Sequence, residues 1–164
     1  MSYVEEMMWK PRIEAQQELL RFVEFLREFA DRTHHAKEEN ILFRAMTDNG
    51  FPRESGPIAV MLMEHEEGRA RVRSMKELGE RTAEWSSNER ELMRTAAGGF
   101  VSLLRQHIMK EDNVLYPMAR QQLPAEAMAK IASEFERFET EEKAKGDHDR
   151  LWGLGDDLCQ QYVS

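Results

Sequence analysis

Two stretches of the chain place a glutamate four residues after a histidine, a spacing that allows one helix to chelate a metal ion. The first contains His34 and Glu38, and the second, 73 positions later, contains His107 and Glu111. Both follow the pattern H-x-x-K-E-[ED]-N-[IV]-L-[FY]. Residues four apart lie on one face of an α-helix, so each copy presents an imidazole beside a carboxylate. The repeat therefore predicts two chelating helix faces in one molecule.

Apolar residues recur at helical spacing along most of the chain and define the elements that position these pairs. Five helices are predicted, at about 12–46, at about 57–81, from Ser86 or Ser87 to the break at Leu123-Pro124, at about 125–143 and at about 148–160. No stretch alternates as a half-buried strand would, so the predicted fold class is all-α, an up-down helical bundle. His34, His65 and His107 each occupy a place in an apolar stripe, and we expect all three to face the core.

Histidines and carboxylates inside a bundle favour a bound cation. A buried carboxylate is costly unless it is paired or bound to a cation, and Glu38 and Glu111 share the stripes of His34 and His107. Imidazole with carboxylate and no thiolate suits iron, manganese or zinc. A lone inward His65 would usually be an ordinary core histidine, and a lone His-x-x-x-Glu is commonly a surface pair. The repetition of the motif favours the metal site over these readings.

Several neighbouring residues are predicted to support the ligands. At about 100° per residue on an α-helix, His35 and Glu39 point away from the stripe that holds His34. We expect these two side chains to contact the metal ligands from outside the site or to lie at the bundle edge. The alternative is that His35 and Glu39, rather than His34 and Glu38, bind the metal. Asp112 stands in the same relation to Glu111. Glu64 is expected to face solvent or to accept a hydrogen bond from an imidazole N–H.

Composition limits the kind of protein and its partners. The chain has 164 residues, of which 41% are hydrophobic and 33% charged, and this profile predicts one soluble domain. The net charge of −8 argues against a nucleic-acid partner, since such binding relies on basic residues. No apolar run is long enough for a membrane span and the N-terminus lacks the features of a signal peptide, so a cytoplasmic location is expected. The single cysteine, Cys159, cannot form an internal disulfide.

The residues resemble the hemerythrin-like (HHE cation-binding) family, whose shared pattern is H…HxxxE…H…HxxxE. The resemblance is closest from Met46 to Leu123 and includes GPIAVMLMEHE at 56–66 and LYP at 115–117. It implies that 1–164 is one hemerythrin-like four-helix domain that binds non-haem iron, often as a di-iron centre, with mononuclear iron or zinc as the alternatives. By position, it implies that the metal ligands include His34, Glu38, His65, His107 and Glu111.

The family pattern also predicts a gap. The histidine that should precede His34 by the same distance as His65 precedes His107 would lie before Met1, so the family's first helix is expected to be missing. We expect the extra C-terminal helix to fill part of that place and His148 to become a further metal ligand. The alternatives are that His148 is merely an exposed helix start, or that a second copy of the chain covers the gap as a homodimer.

The leading functional expectation is a non-haem iron protein that binds or senses O2, NO or peroxide. The alternatives are an iron-dependent peroxide-consuming or ferroxidase-like enzyme, a metal-stabilised helical interaction module, or a bundle with structural zinc. Nucleophilic catalysis has little support, because the chain lacks Gly-x-Ser-x-Gly and a phosphate-binding glycine loop. The candidate walls of a dry ligand pocket, each of which is equally explained as plain core, are Phe43, Met61, Met63, Phe100 and Leu103.

Overall fold

The computed structural model describes residues 12–162, and all regular secondary structure in that range is helical. The five helices are α1 (12–48), α2 (Gly56–Gly79), α3 (87–122), α4 (Ala125–Ala144) and α5 (Asp147–Tyr162). The prediction of an all-α bundle is therefore confirmed, and α5 stands where the extra C-terminal helix was expected. Whether a helix precedes Arg12 concerns residues outside the described range.

Helices α1 and α3 are not α-helical throughout. In α1, the segments Leu26–His35 and Glu38–Leu42 are π-helical, and α3 contains a third π-helical segment at Glu111–Leu115. A π-helix bonds residue i to i+5, and each wide turn rotates the following side chains relative to an ideal α-helix. All three π-helical segments lie at or beside the two repeated motifs. Successive side chains there are therefore not rotated by the roughly 100° per residue of an ideal α-helix.

Local signals account for where the helices begin and end. Ser86 starts α3 with a reciprocal cap, in which its hydroxyl accepts from the Glu89 N–H and its own N–H donates to Glu89 Oε2 at 2.7 Å. Gly50 has φ of 95° in the turn after α1, a conformation that side chains disfavour. Gly146 has φ of 79° and separates α4 from α5. The C-terminal region therefore consists of two helices with a sharp break between them.

The C-terminal helices run antiparallel to α1 along most of its length. Lys37 Nζ lies 2.8 Å from Glu139 on α4, and Arg44 Nη2 lies 3.1 Å from Glu134. Farther along, Phe29 contacts Trp152 of α5 edge-on, with 6.1 Å between ring centroids. Helices α4 and α5 together therefore cover one side of α1. None of the described helices combines the length and the apolar character needed to cross a membrane.

Two apolar clusters pack above and below the middle of the bundle. One joins the first part of α1 to α2 and α3 and includes Leu19, Met75 and Met93. The other joins the end of α1 to α2, α3 and α4 and includes Phe43 and Leu115. The repeated motif of α1 begins between the α1 residues of these clusters and runs into the second. The polar residues at its start are therefore enclosed by a hydrophobic layer at each end.

Candidate metal centre

Four buried side chains from three helices meet in the middle of the bundle. They are Glu38 of α1, His65 of α2, and His107 and Glu111 of α3, and none is more than 3% exposed. Each offers one potential ligand atom, and the four atoms lie within 4.8 Å of one another. The structure thus brings together four of the predicted metal ligands.

The distances within this tetrad suit a shared cation. His65 Nε2 lies 3.2 Å from His107 Nε2 and 3.3 Å from Glu38 Oε2, while His107 Nε2 lies 3.0 Å from Glu111 Oε1. Glu38 Oε2 and Glu111 Oε1 are buried, yet neither accepts a hydrogen bond from any described residue. Burying an unsatisfied anionic oxygen is strongly unfavourable. A metal ion among these atoms would satisfy both oxygens, so the residues fit a cation site.

The outer nitrogen of each buried imidazole is held by a carboxylate. His65 Nδ1 lies 2.7 Å from Glu39 Oε1, and His107 Nδ1 lies 3.0 Å from Glu64 Oε2. An Nδ1–H that donates to a carboxylate leaves the Nε2 lone pair free for a metal. In both imidazoles Nε2 is the nitrogen that points into the tetrad. The predicted supporting roles of Glu39 and Glu64 thus have a geometric basis.

Basic groups in turn hold these supporting carboxylates. Arg69 Nη2 donates to Glu39 Oε1 at 2.8 Å, and the Lys110 ammonium pairs with Glu64. Burial would raise the pKa of Glu39, but its partners His65 and Arg69 outweigh burial and lower it. Glu39 therefore remains an anion that can accept the imidazole proton.

Tyr116 selects which oxygen of Glu38 faces the tetrad. Its hydroxyl donates to Glu38 Oε1 at 2.7 Å, so Oε2 is the oxygen left without a donor. Burial and the nearby Glu38 carboxylate raise the pKa of Tyr116 far above its ordinary value, so the phenol keeps its proton. Tyr116 occupies the last position of the second repeated motif, where the first motif has Phe43.

The two adjacent histidines of α1 are buried in the opposite order from the prediction. His35 is 9% exposed and its ring stacks on His65, with centroids 3.9 Å apart. The side chain of His34 is 44% exposed, and its Nε2 lies 3.6 Å from Glu111 Oε1 and 3.9 Å from Glu38 Oε2. The expectation that His34 lies deeper was wrong because the π-helical segment 26–35 alters the α-helical phase. Both imidazoles border the tetrad, and His35 has a ligand atom within 4.8 Å of those of His65 and His107.

Two other predicted residues lie apart from the tetrad. His148 Nδ1 lies 3.1 Å from Asp149 Oδ1, and its ring stacks on Trp152 with centroids 6.2 Å apart. Both contacts are within helix α5, which packs against the first half of α1. Asp112 is exposed, one position beyond the buried Glu111. The structure does not bring either residue to the candidate metal centre.

The carboxylates and imidazoles shift one another's pKa values. Burial favours protonation of Glu111, but His107 and His34 outweigh it and lower the pKa of Glu111. Glu111 raises the pKa of His34; burial lowers the pKa of His107, but Glu111 and Glu64 outweigh burial and raise it. His35 differs, because burial, then the charges of His65 and His34, lowers its pKa to about 4.

These shifts predict that metal affinity falls as the pH is lowered from 8 to 6. His107 and His34 hold protons at higher pH than an ordinary histidine, and a metal must displace a proton from each imidazole that it binds. We expect the affinity to change by about tenfold per pH unit for each proton displaced. Competition with a chelator of known affinity at pH 6, 7 and 8 measures this slope. An affinity that does not change over this range would contradict the assignment of these imidazoles as ligands.

Removing a supporting carboxylate should weaken the metal site without destroying it. In Glu64→Gln and Glu39→Gln, the imidazole loses an anionic acceptor for its Nδ1–H, and metal affinity should fall by about 10-fold to 100-fold. The matched control is Glu67→Gln, because Glu67 is exposed and pairs with Arg71 on its own helix. Chelator competition checks all three variants. Equal affinities in Glu64→Gln, Glu39→Gln and Glu67→Gln would show that these hydrogen bonds do not tune the site.

The chain also matches a known protein family. The family model described as "Hemerythrin HHE cation binding domain" matches residues 5–119. Neither the curated proteins nor the solved structures provide a significant match. The matched range contains both repeated motifs and His65, and it ends before α4 and α5.

Proposed function

Because the chain belongs to the hemerythrin HHE cation-binding domain family, we propose that it is a non-haem iron protein that holds two iron ions and binds or senses O2, NO or peroxide. The observation that supports this proposal most strongly is the pair of buried carboxylate oxygens without hydrogen bonds, which face two imidazole nitrogens. Nitrogen and oxygen ligands without a nearby thiolate suit iron. The proposal is thus supported by the site as well as by the family.

The number of candidate ligands supports a site for two ions. Glu38 and Glu111 come from facing helices, and both carboxylates would help to hold the two ions, as in other carboxylate-containing bundles. The imidazole ligands in this proposal are His34, His35, His65 and His107. When iron is bound, a coordination position that no side chain fills would be open to a small molecule, and the iron could exchange electrons with that molecule.

The surrounding residues would keep water from the centre. Phe43 is fully buried, with its ring centroid 5.8 Å from that of His65, and Met61 is 1% exposed in the same apolar cluster. Both side chains can therefore serve as walls of the predicted dry ligand pocket. Met63 is 62% exposed and was wrongly predicted as a wall, because it lies on the solvent side of α2.

Spectroscopy of iron-loaded protein tests the proposed ligand binding. Protein loaded with Fe(II) without oxygen and then exposed to O2 should develop a new near-ultraviolet or visible band, and removal of O2 should reverse it. The double variant Glu38→Gln/Glu111→Gln should show no such band. An iron-loaded protein whose spectrum is unchanged by O2, NO and peroxide would contradict the proposal. Repeated consumption of peroxide beyond one equivalent per centre would instead assign an enzyme.

A further inference from the structure

A pocket next to the proposed metal centre shares only His35 with the proposed metal ligands. It has a volume of about 340 Å³ and lies between α1, α2 and α3. Its apolar wall is formed by residues of all three helices, Leu26, Val72 and Phe100, and one end reaches His35. Ligand pockets typically have volumes of about 300 to 1,000 Å³, so this space is large enough for a small organic molecule.

The rim of this pocket is strongly basic although the chain as a whole is acidic. Four cationic side chains line the pocket, namely Arg27, Arg69, Arg73 and Lys76. The single carboxylate among the lining residues is Asp31, and Arg69 pairs with it at 2.7 Å. In a chain with a net charge of −8, such a concentration of positive charge favours an anionic ligand.

Two of the four cations lack a partner. Arg69 is held by Asp31, Glu39 and Glu66, and Lys76 pairs with Glu80. Arg27 and Arg73 are exposed, and within 12–162 neither makes a hydrogen bond or ion pair. A guanidinium can donate two parallel hydrogen bonds to a carboxylate. These two arginines are therefore free to bind an anion at the pocket mouth.

The order of residues along the helices places Arg27, Arg73 and Lys76 toward one end of the pocket and the metal centre at the other. Gly68, at the inner end of the pocket on α2, lies one turn beyond His65, whereas Lys76 lies about 12 Å farther along at 1.5 Å per residue. Arg27 lies two turns before His35 on α1. The pocket thus runs from these basic residues, which lie beside Leu26 and Val72 at the same level of the helices, to the imidazole that stacks on His65.

We propose that this pocket binds a monocarboxylate with an apolar chain. Arg27 and Arg73 hold the carboxylate, and the chain lies against Leu26, Val72 and Phe100 with its end directed toward His35. The charge and shape of the pocket carry this inference, and it does not depend on iron. Because His35 stacks on His65 and is itself a proposed metal ligand, the apolar end of a bound acid would lie beside the metal centre and could influence it.

Calorimetric titration with octanoate tests the charge requirement, with octan-1-ol as the uncharged molecule of equal chain length. Octanoate should bind to one site per chain, in metal-free as well as metal-loaded protein, and about tenfold or more tightly than octan-1-ol. The variant Arg27→Glu/Arg73→Glu should weaken octanoate binding by about tenfold or more. Equal affinities for octanoate and octan-1-ol, or no octanoate binding below its micelle concentration, would overturn the proposal.

Controls separate this pocket from general effects of charge and from misfolding. Arg53→Glu is the matched control, because Arg53 is exposed and lies outside the pocket, and it should leave octanoate affinity unchanged. Circular dichroism confirms that each variant keeps its helices. Octanoate should also shift the imidazole NMR signals of His35 in the metal-free protein. Unchanged binding in the double variant, or a loss of binding in Arg53→Glu as well, would show that the anion binds elsewhere.

Discussion

Glu38→Gln and Glu111→Gln proteins are expected to fold and to lose their iron. Each substitution replaces an anionic oxygen that no described residue hydrogen-bonds by a neutral amide of nearly the same shape. Loss of a direct ligand should exceed the roughly 10-fold to 100-fold effect of removing an outer hydrogen bond, so we expect iron affinity to fall by more than about 100-fold. Metal analysis after gel filtration, with circular dichroism as the test of folding, measures both results.

The stability of these variants without metal separates a metal ligand from a structural ion pair. Breaking a buried ion pair typically costs about 3 to 5 kcal/mol, whereas removing a buried carboxylate oxygen that lacks a hydrogen bond also removes the cost of burying it. We expect metal-free Glu38→Gln to be at least as stable as the metal-free parent protein at pH 8. His148→Ala is the control for iron content and should keep its full complement. A Glu38→Gln protein that retains both irons would contradict the ligand assignment.

Removal of the metal is expected to lower the thermal unfolding midpoint by several degrees. A metal present at 100 times its dissociation constant stabilises the native state by about 2.7 kcal/mol. At about 2 to 4 °C per kcal/mol for a domain of this size, the shift should be about 5 to 10 °C. The physical cause is the loss of the cation that compensates Glu38 and Glu111, which are buried without hydrogen bonds to Oε2 and Oε1.

Calorimetry of iron-loaded and chelator-treated protein measures this shift. The double variant Glu38→Gln/Glu111→Gln is the control, because its midpoint should be the same with and without iron. Identical midpoints for loaded and stripped parent protein would mean that the buried carboxylates are compensated in some other way.

The sequence was sufficient for the parts of the site that depend on simple periodicity. The apolar stripes predicted five helices, and residues 12–162 form five, with similar bounds. His65 and His107 were placed correctly in the core because each lies in an α-helical region. The repeated His-x-x-x-Glu motif identified Glu38 and Glu111, which are buried in the tetrad.

The wrong predictions concern residues where the backbone departs from that periodicity, or residues whose position depends on how the helices pack. His34 and His35 were ranked in the wrong order because the sequence does not reveal the π-helical segment 26–35. His148 was predicted as a ligand because the packing of α5 against α1 could not be read from its sequence.

The roles of Tyr116 and Lys110 were missed although both belong to the repeated motif. Lys110 reaches Glu64 on another helix, and Tyr116 reaches Glu38, so each contact depends on how the helices pack. The sequence does contain a signal for the role of Tyr116, because the first motif ends in Phe43 and the second in Tyr116. A hydroxyl at a core position usually has a hydrogen-bond partner. The basic pocket gave no comparable signal, since its lining comes from three helices.

The most direct test of the central claim is the iron content of protein purified without oxygen from cells grown with iron and without added zinc. We expect two iron ions per chain in the parent protein and in His148→Ala, and none in Glu38→Gln/Glu111→Gln. A parent protein that contains one iron, zinc in place of iron, or no metal would contradict the proposed di-iron centre.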